Sequence, residues 1–541
     1  MLINYFANPI HYKHQTMSKL LKQFAVGTLF LSFITLSCKP ATLQTDTHTA
    51  NDAIPAFNGH FGYGSNMGFY NPYSDMQLAD IGARINVRVM RPALDEKFLE
   101  KWGYDIRSDL FQHFGDLNMN ENTLFLGYPS AAHRDNTVYC GKDSSALFAN
   151  MYEPIFDNGE NGTLVNDKNY YALYVYKVVK KYGKNVKFYE IWNEPDYATT
   201  GKTEATPGTP GSWWTSNPDP CEYALHAPIQ HYIRLLRISY EVIKSIDASA
   251  NVCIGGVGIP SFLDAVLRQT DNPKDGTVTK DFPLNGGAYF DVLSYHVYPH
   301  IDNSLRAWNN ATQTFDQFRH SDRAAAGIID RKNKMTDVLY KFGYNGSTYA
   351  QKHFIITETN IPAKQFGEFI GSYEAQRNYV IKALVKAQQN DILQLYFYSL
   401  GEFQVGATAK DEFEKMGLYT PLTNTVPYQM PPTEAGYAFS TTSKTLFGFD
   451  YDVAETQKLK IPISIDGAAF KNKMTGEVRY VLWAKTSLDQ SEIAQELYSF
   501  PTTLNLKSVK RREWDFSKTQ KEILIPSSNI NLTGTPTFFY N

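Results

Sequence analysis

The sequence predicts a (β/α)8 barrel, the TIM barrel, followed by an antiparallel β-sandwich. Two observations carry the barrel. Short apolar runs alternate with helical stretches from residue 57 to about residue 400, and that alternation argues a parallel sheet. Eight such runs can be counted, the number that closes a barrel with long loops. A third observation carries the sandwich. Past residue 430 the β-like segments are separated by polar or Gly/Pro turns, with no helical period of comparable strength.

Composition agrees with a large catalytic-size domain plus a smaller one. Of 541 residues, 43% are apolar and 20% charged, which is globular and not disordered. Lys and Arg number 52 against 55 Asp and Glu, so no basic excess points to a nucleic-acid partner. Aromatic residues reach 14%, a supply of flat faces for stacking on ligands. Four cysteines cannot make a disulfide scaffold in a chain this long.

In chain order, Lys19 and Lys22 precede an apolar run over 24–34 and then Thr35-Leu36-Ser37-Cys38. A cationic start, a short apolar core and small residues before a break predict a secretory signal over 1–38. The run is too short to span a bilayer. Cys38 at the break resembles the lipobox of a bacterial lipoprotein, with Thr35 where Leu is commonest, and its lipidation would anchor the exported chain at the outer membrane. Residues 39–53 read as a flexible tether, 54–430 as the barrel and 431–541 as the sandwich. In an oxidising compartment Cys140 and Cys221, both in polar loops, become disulfide candidates, whereas Cys253 in an apolar run reads as a buried thiol.

The eight strands are expected near 57–63, 85–90, 123–127, 186–192, 252–257, 290–297, 354–357 and 393–399. Helices are expected over 170–182, 231–246 and 374–389, where apolar residues recur at helical spacing. Sandwich strands are expected at 458–465, 478–483, 522–525 and 537–540.

Chemistry in such a barrel sits where strands end. Two strand ends carry a glutamate: Trp192-Asn193-Glu194-Pro195 after the fourth and Ile356-Thr357-Glu358-Thr359 in the seventh. Two carboxyl groups facing one sugar can cleave a glycosidic bond, one protonated and one ionised. Opposite strands of a small barrel can bring them to the retaining separation of roughly 5–5.5 Å. No His/Cys cluster has metal-ligand spacing and no Gly-rich phosphate loop follows a strand, so no cofactor or metal is called for.

These motifs resemble glycoside hydrolase clan A. With Lys181-Tyr182-Gly183 before the fourth strand and Ser294-Tyr295-His296-Val297-Tyr298-Pro299 at the sixth, the chain is most similar to family 39, which holds β-xylosidases and α-L-iduronidases. The resemblance implies Glu194 as acid/base, Glu358 as nucleophile and Asn193 on the sugar 2-hydroxyl. His296 and Tyr298 would line the site, Tyr298 bonding the nucleophile. Arg91 would fill the arginine position after the second strand, with Arg88 as its rival. A β-xyloside is the first substrate reading. Another clan A activity (endo-glucanase, arabinofuranosidase, or an enzyme for uronic or sulfated sugars) and a non-catalytic surface glycan-binding lipoprotein are the alternatives.

Long loops over 197–221, 268–287 and 300–323 would shape the cleft. Trp213, Trp214 and Trp308 in them are candidate sugar platforms or hydrophobic plugs. Glu402 is a candidate substrate contact. Glu190, on the same strand face as Glu194, reads as a supporting acid, and Trp483 as sandwich core. His133, Arg134, Lys142 and Arg306 would suit an anionic sugar or are ordinary surface charge.

Overall fold

The computed structural model describes residues 48–50, 52–157, 159–197, 208–422 and 429–541. The expected signal sequence and Cys38 lie outside the described residues. Six strands come first: β1 (Gly62–Asn66), β2 (Val89–Arg91), β3 (Asn122–Leu126), β4 (Val186–Ile191), β5 (Asn251–Val257) and β6 (Val292–His296). A hairpin, β7 (Arg306–Asn309) and β8 (Thr314–Gln317), stands apart, followed by β9 (His353–Thr359) and β10 (Ile392–Phe397). The eight strands other than the hairpin form one parallel sheet in the order β2-β1-β10-β9-β6-β5-β4-β3. A bridge between Ala93 and Phe125 joins its two edges and closes the barrel.

Around it run α1 (Asp75–Arg84), α2 (Glu96–Trp102), α3 (Ser108–Asp116), α4 (Tyr170–Tyr182), α5 (Ile229–Ile246), α6 (Pro260–Arg268), α7 (Ser321–Lys341), α8 (Tyr373–Gln389) and α9 (Glu434–Leu446). The last helix falls where the sequence reading left only β structure. Its buried positions include Ser440, Thr441, Thr442, Ser443 and Thr445, so no apolar stripe marks it. Asn86 holds it to the barrel, donating to Ser440 Oγ at 2.9 Å and accepting from Ser443 Oγ at 2.7 Å.

β1 begins five residues later than expected. Gly62 and Gly64 face Gln394 and Tyr396, and a Cβ at either would come within 2.6 Å of them. The strand lacks an apolar signature because its inward positions must be empty. Phe57, expected in that strand, instead packs beneath the barrel against Phe188, Cys253, Val292 and Ile355. Residues 85 and 86, expected in the second strand, end α1 instead, with Asn86 at φ 62°.

The chain is already docked before residue 53, the expected end of the tether. The His48 ring lies 4.4 Å from that of Tyr240, and its Nε2 is 2.7 Å from the Ala288 carbonyl. His353, at the start of β9, meets the Pro55 carbonyl at 3.2 Å. Both contacts are at the strands' N-terminal ends.

Beyond α9 lie β11 (Asp450–Tyr451), helix α10 (Val453–Lys458), β12 (Ile465–Lys471), β13 (Val478–Ala484), β14 (Gln495–Tyr498), β15 (Ser508–Arg512), β16 (Glu522–Pro526), β17 (Ile530–Thr533) and β18 (Thr537–Tyr540). Residues 458–465, expected as a strand, instead end α10 and lead into β12. The order β11-β12-β13-β18-β15-β16 makes one antiparallel sheet, and β14-β17 a second small one. Tyr480, Leu482, Phe500, Leu532 and Phe539 pack between them. Trp483 and Phe538 belong to the barrel's hydrophobic core instead. Trp483 Nε1 donates to Asp322 on α7 at 2.7 Å, so this residue joins the two domains and is not interior to the sandwich alone.

Candidate active site

β4 delivers the first glutamate through a strained exit. Trp192 and Glu194 take φ 72° and 47°, conformations that cost a non-glycine residue about 1 kcal/mol or more. Asp196 fixes the turn from below: its Oδ2 accepts from the backbone N–H groups of Gly258 (2.8 Å) and Ile259 (2.7 Å), tying the end of β4 to the end of β5.

β9 delivers the second by a slip in register. Thr357 and Glu358 are consecutive, yet both turn inward: Thr357 Oγ1 donates to Glu190, and Glu358 accepts from Arg91 and Tyr298. The β6–β9 pairing shifts between Tyr295 and His296, and such an irregularity re-aims a side chain at a strand end.

Arg91 is the hub. Its Nε donates to Glu190 Oε2 (2.6 Å), Nη1 to Glu358 Oε1 (2.7 Å) and Asn66 Oδ1 (3.2 Å), and Nη2 to Asn193 Oδ1 (2.7 Å). Glu190 is fully buried and also accepts from Gly256 N, Ser294 Oγ and Thr357 Oγ1. It is thus a supporting carboxylate that holds Arg91 in place. Arg88, the rival, points away from the site and lies over Phe447 at 4.4 Å.

Tyr298 OH donates to Glu358 Oε2 at 2.8 Å, so both oxygens of that carboxylate are fixed. His296 Nδ1 lies 2.8 Å from Glu194 Oε1 and 3.7 Å from Glu358 Oε2. Gly256 gives the imidazole its room, since a Cβ there would fall 2.1 Å from Nε2. One oxygen of each glutamate and a ring nitrogen of His296 lie within 4.8 Å of one another. That cluster has metal-ligand residue types, but Glu358 already spends both oxygens on donors and the Arg91 cation occupies the adjoining ground.

The two glutamates differ in setting. The Glu194 side chain is 31% exposed and that of Glu358 is 13%. Burial pushes Glu194 up, but the hydrogen bond and charge of His296, helped by Arg91, outweigh it and leave the carboxyl below its ordinary value. Burial pushes His296 down, yet the charges of Glu358 and Glu194 carry it above the usual histidine value. The imidazole and the Glu194 carboxyl thus share one hydrogen bond, each shifted in the direction that favours the charge of the other. Burial dominates at Asp196, which is pushed up to about 7 against its backbone hydrogen bonds, with the Glu194 charge adding to the rise.

Glu194, Glu358, Asn193, Arg91, His296 and Tyr298 are thus brought together. Other candidates are not. Trp213 is fully buried against Tyr223 and Phe262, a plug and not a platform. Trp214 packs partly buried against the same core. Glu402 is 1% exposed and ion-paired with Lys415, so it braces the loop after β10. Trp308 lies on the β7–β8 hairpin and contacts Phe315, not the glutamates. His133 pairs with Glu96, and Arg134 is spent on the carbonyls of Ser144 and Ser145. Cys140 and Cys221 are disulfide-bonded with Cα atoms 5.6 Å apart, and Cys253 is a buried free thiol.

The sequence reading missed Asn66, which bonds Arg91 and the Thr357 carbonyl, because β1 itself was misplaced. It also missed Asp196. An acid two residues past a strand-end glutamate was a usable signal.

No family model matches the chain, and no curated protein matches it. Solved structures do. A family 39 glycoside hydrolase from Bacteroides cellulosilyticus WH2 aligns over 89% of this chain and 81% of its own, with TM-score 0.54 and 14% identity. A family 30 subfamily 8 xylanase from Clostridium acetobutylicum covers 91% and 99% at TM-score 0.48 and 13% identity. A monomeric β-xylosidase from Caulobacter crescentus CB15 covers 91% and 97% at TM-score 0.48 and 12% identity. The first of these shares the fold of this chain, a barrel carrying a β-sandwich.

Proposed function

We propose that the protein is a retaining O-glycosidase that cleaves a glycosidic bond in an oligo- or polysaccharide. One observation carries this: two strand-end carboxylates come within 4.8 Å, with both oxygens of Glu358 fixed by Arg91 and Tyr298. That spacing leaves no room for the water an inverting enzyme places between its carboxyls, and suits direct attack. Glu358, its two oxygens fixed by Arg91 and Tyr298, attacks the anomeric carbon. Glu194, more exposed, passes the proton it shares with His296 to the leaving oxygen. The resulting glycosyl ester has no negative charge, so the field that favours a proton on the His296–Glu194 pair weakens and Glu194 serves as base for water. Asn193, held by Arg91, presents its amide N–H to the sugar 2-hydroxyl. A β-xyloside is the first substrate reading and rests on the resemblance to family 39.

The test is a panel of aryl glycosides (xyloside, glucoside, galactoside, arabinofuranoside, glucuronide) with wild type and two variants. Glu358→Gln should lose at least about 10³-fold in kcat on whichever sugar is turned over. Glu194→Ala should lose about 10²–10⁴-fold on poor leaving groups and far less on activated ones. Equal losses on both would remove Glu194 from the acid role, and an active Glu358→Gln would remove the nucleophile.

We propose further that the protein is exported and lipid-anchored at Cys38. The pattern over residues 19–38 and the Cys140–Cys221 disulfide, which belongs to an oxidising compartment, both support this. Cys38→Ser should move the protein from the membrane to the soluble fraction, and retention at the membrane would count against the anchor.

A further inference from the structure

The loop between β6 and α7 leaves the barrel as the β7–β8 hairpin. Pairing sets Trp308 opposite Phe315 and Arg306 opposite Gln317. Strand alternation therefore puts these four side chains on one face of the ribbon. That face is not folded against the protein: Trp308 is 49% exposed and Phe315 44%. The two rings meet edge to face with centroids 5.1 Å apart, and the Arg306 guanidinium lies over Phe315 at 4.3 Å. With Arg306 over Phe315 and Phe315 edge-on to Trp308, the Trp308 ring is left as an exposed apolar face of the kind a sugar ring packs on.

The same face reaches a depression in the protein surface. Arg306 and Gln317 line it, together with His300, Glu368 and Phe369. His300 is only 6% exposed, yet among the described residues neither ring nitrogen has a hydrogen-bond partner. A buried polar group without a partner is costly, and one at the wall of a depression is satisfied by whatever fills it. Burial pushes this imidazole down to about 3, so it stays neutral, with one donor and one acceptor. A sugar hydroxyl offers the complementary pair. Among the described residues Arg306 has no carboxylate partner and the Gln317 amide no hydrogen bond. His300 also links the wall of the depression to the glutamates through packing. The His300 ring stands 6.0 Å from that of Tyr298, whose hydroxyl bonds Glu358.

We propose that the β7–β8 face and this depression form a remote glycan-binding subsite, with one neutral sugar unit packed on Trp308 against the edge of Phe315 and the hydroxyls of its neighbour bonded by Arg306, Gln317 and His300. This rests on the glycosidase reading and narrows it: the substrate is a chain of several neutral sugars, not a single-sugar glycoside. Neutral units fit because Glu368 shares the depression with Arg306, while Arg319, the other cation lining it, is already paired with Asp489.

The test compares wild type with Trp308→Ala and Arg306→Ala. The substrates are aryl monoglycosides, neutral xylo-, gluco- and galacto-hexasaccharides, and glucuronate-bearing xylo-oligosaccharides. On the best hexasaccharide, Trp308→Ala should raise KM about 10-fold while kcat, and all constants on the aryl glycoside, stay within about twofold. An unchanged KM on every hexasaccharide overturns the subsite. So does a preference for the acidic oligosaccharides that Arg306→Ala abolishes. If no hexasaccharide is cleaved, its binding is measured by calorimetry. Binding lost in Trp308→Ala supports the subsite, and no binding to wild type overturns it. Aryl glycosides report separately on catalysis: turnover abolished in Glu358→Gln keeps the glycosidase reading even if the subsite falls. Trp308-dependent binding without any turnover does the reverse.

Discussion

Asp196 shows how one buried side chain couples the site to pH. Folded, it keeps its proton up to about pH 7, whereas an unfolded aspartate releases it near pH 3.9. The folded state therefore binds more protons between about pH 4 and 7. By linkage, this residue's contribution to stability is full below that window and is lost as pH rises through it. Both backbone N–H groups bond the same oxygen, Oδ2, so an asparagine oxygen can accept both without the charge. Asp196→Asn should thus fold and should lose this pH-dependent component. Its melting temperature relative to wild type should improve between pH 5 and pH 8. A difference that stays constant with pH would mean that Asp196 is already ionised in the folded protein.

At the scale of the element, the site is a collaboration of strand ends, and it was unevenly legible. The exit of β4 announced itself, because an apolar strand leads straight into Asn193-Glu194-Pro195. Glu358 was also legible, although the register slip that turns it inward beside Thr357 has no sequence signature. The β1 contribution was hidden, since Gly62 and Gly64 must be small to admit Gln394 and Tyr396, and the strand then lacks the alternation that identifies one. α9 was hidden for another reason: hydroxyl residues fill positions that a helix usually gives to apolar ones. The role of Glu190 was readable as support, but its partner was not, because Arg91 comes from two strands away. The same pairing yields a prediction. Glu190→Ala would leave the buried Arg91 with one carboxylate in place of two, a change that should cost about 3–5 kcal/mol. Urea denaturation measures this. A loss below about 1 kcal/mol would show that Glu358, Asn66 and Asn193 hold the guanidinium unaided.

At the scale of the molecule, the barrel and sandwich are joined by polar and apolar contacts together. Asp322 on α7 accepts from Trp483 Nε1 and pairs with the fully buried Lys382 at 2.8 Å, and Glu492 accepts from Ser321 and Asn378. Trp483 lies in the hydrophobic core that runs through the barrel. Two domains that share a core should unfold together. Wild type is therefore expected to show one transition. Trp483→Ala should lower its stability by about 3–5 kcal/mol without splitting it. Two separate transitions, with only the later one shifted, would show that the sandwich stands alone.

The docking of His48, Pro55 and Phe57 against the floor of the barrel has a consequence for how the protein faces its surroundings. His48 meets Ala288 and Pro55 meets His353, both at the ends of the strands remote from Glu194 and Glu358. The described chain therefore begins at the pole opposite the glutamates. Attachment through that end, to a bilayer, a bead or a fusion partner, presents the cleft outward. A polymer too large to pass beneath the protein still reaches it.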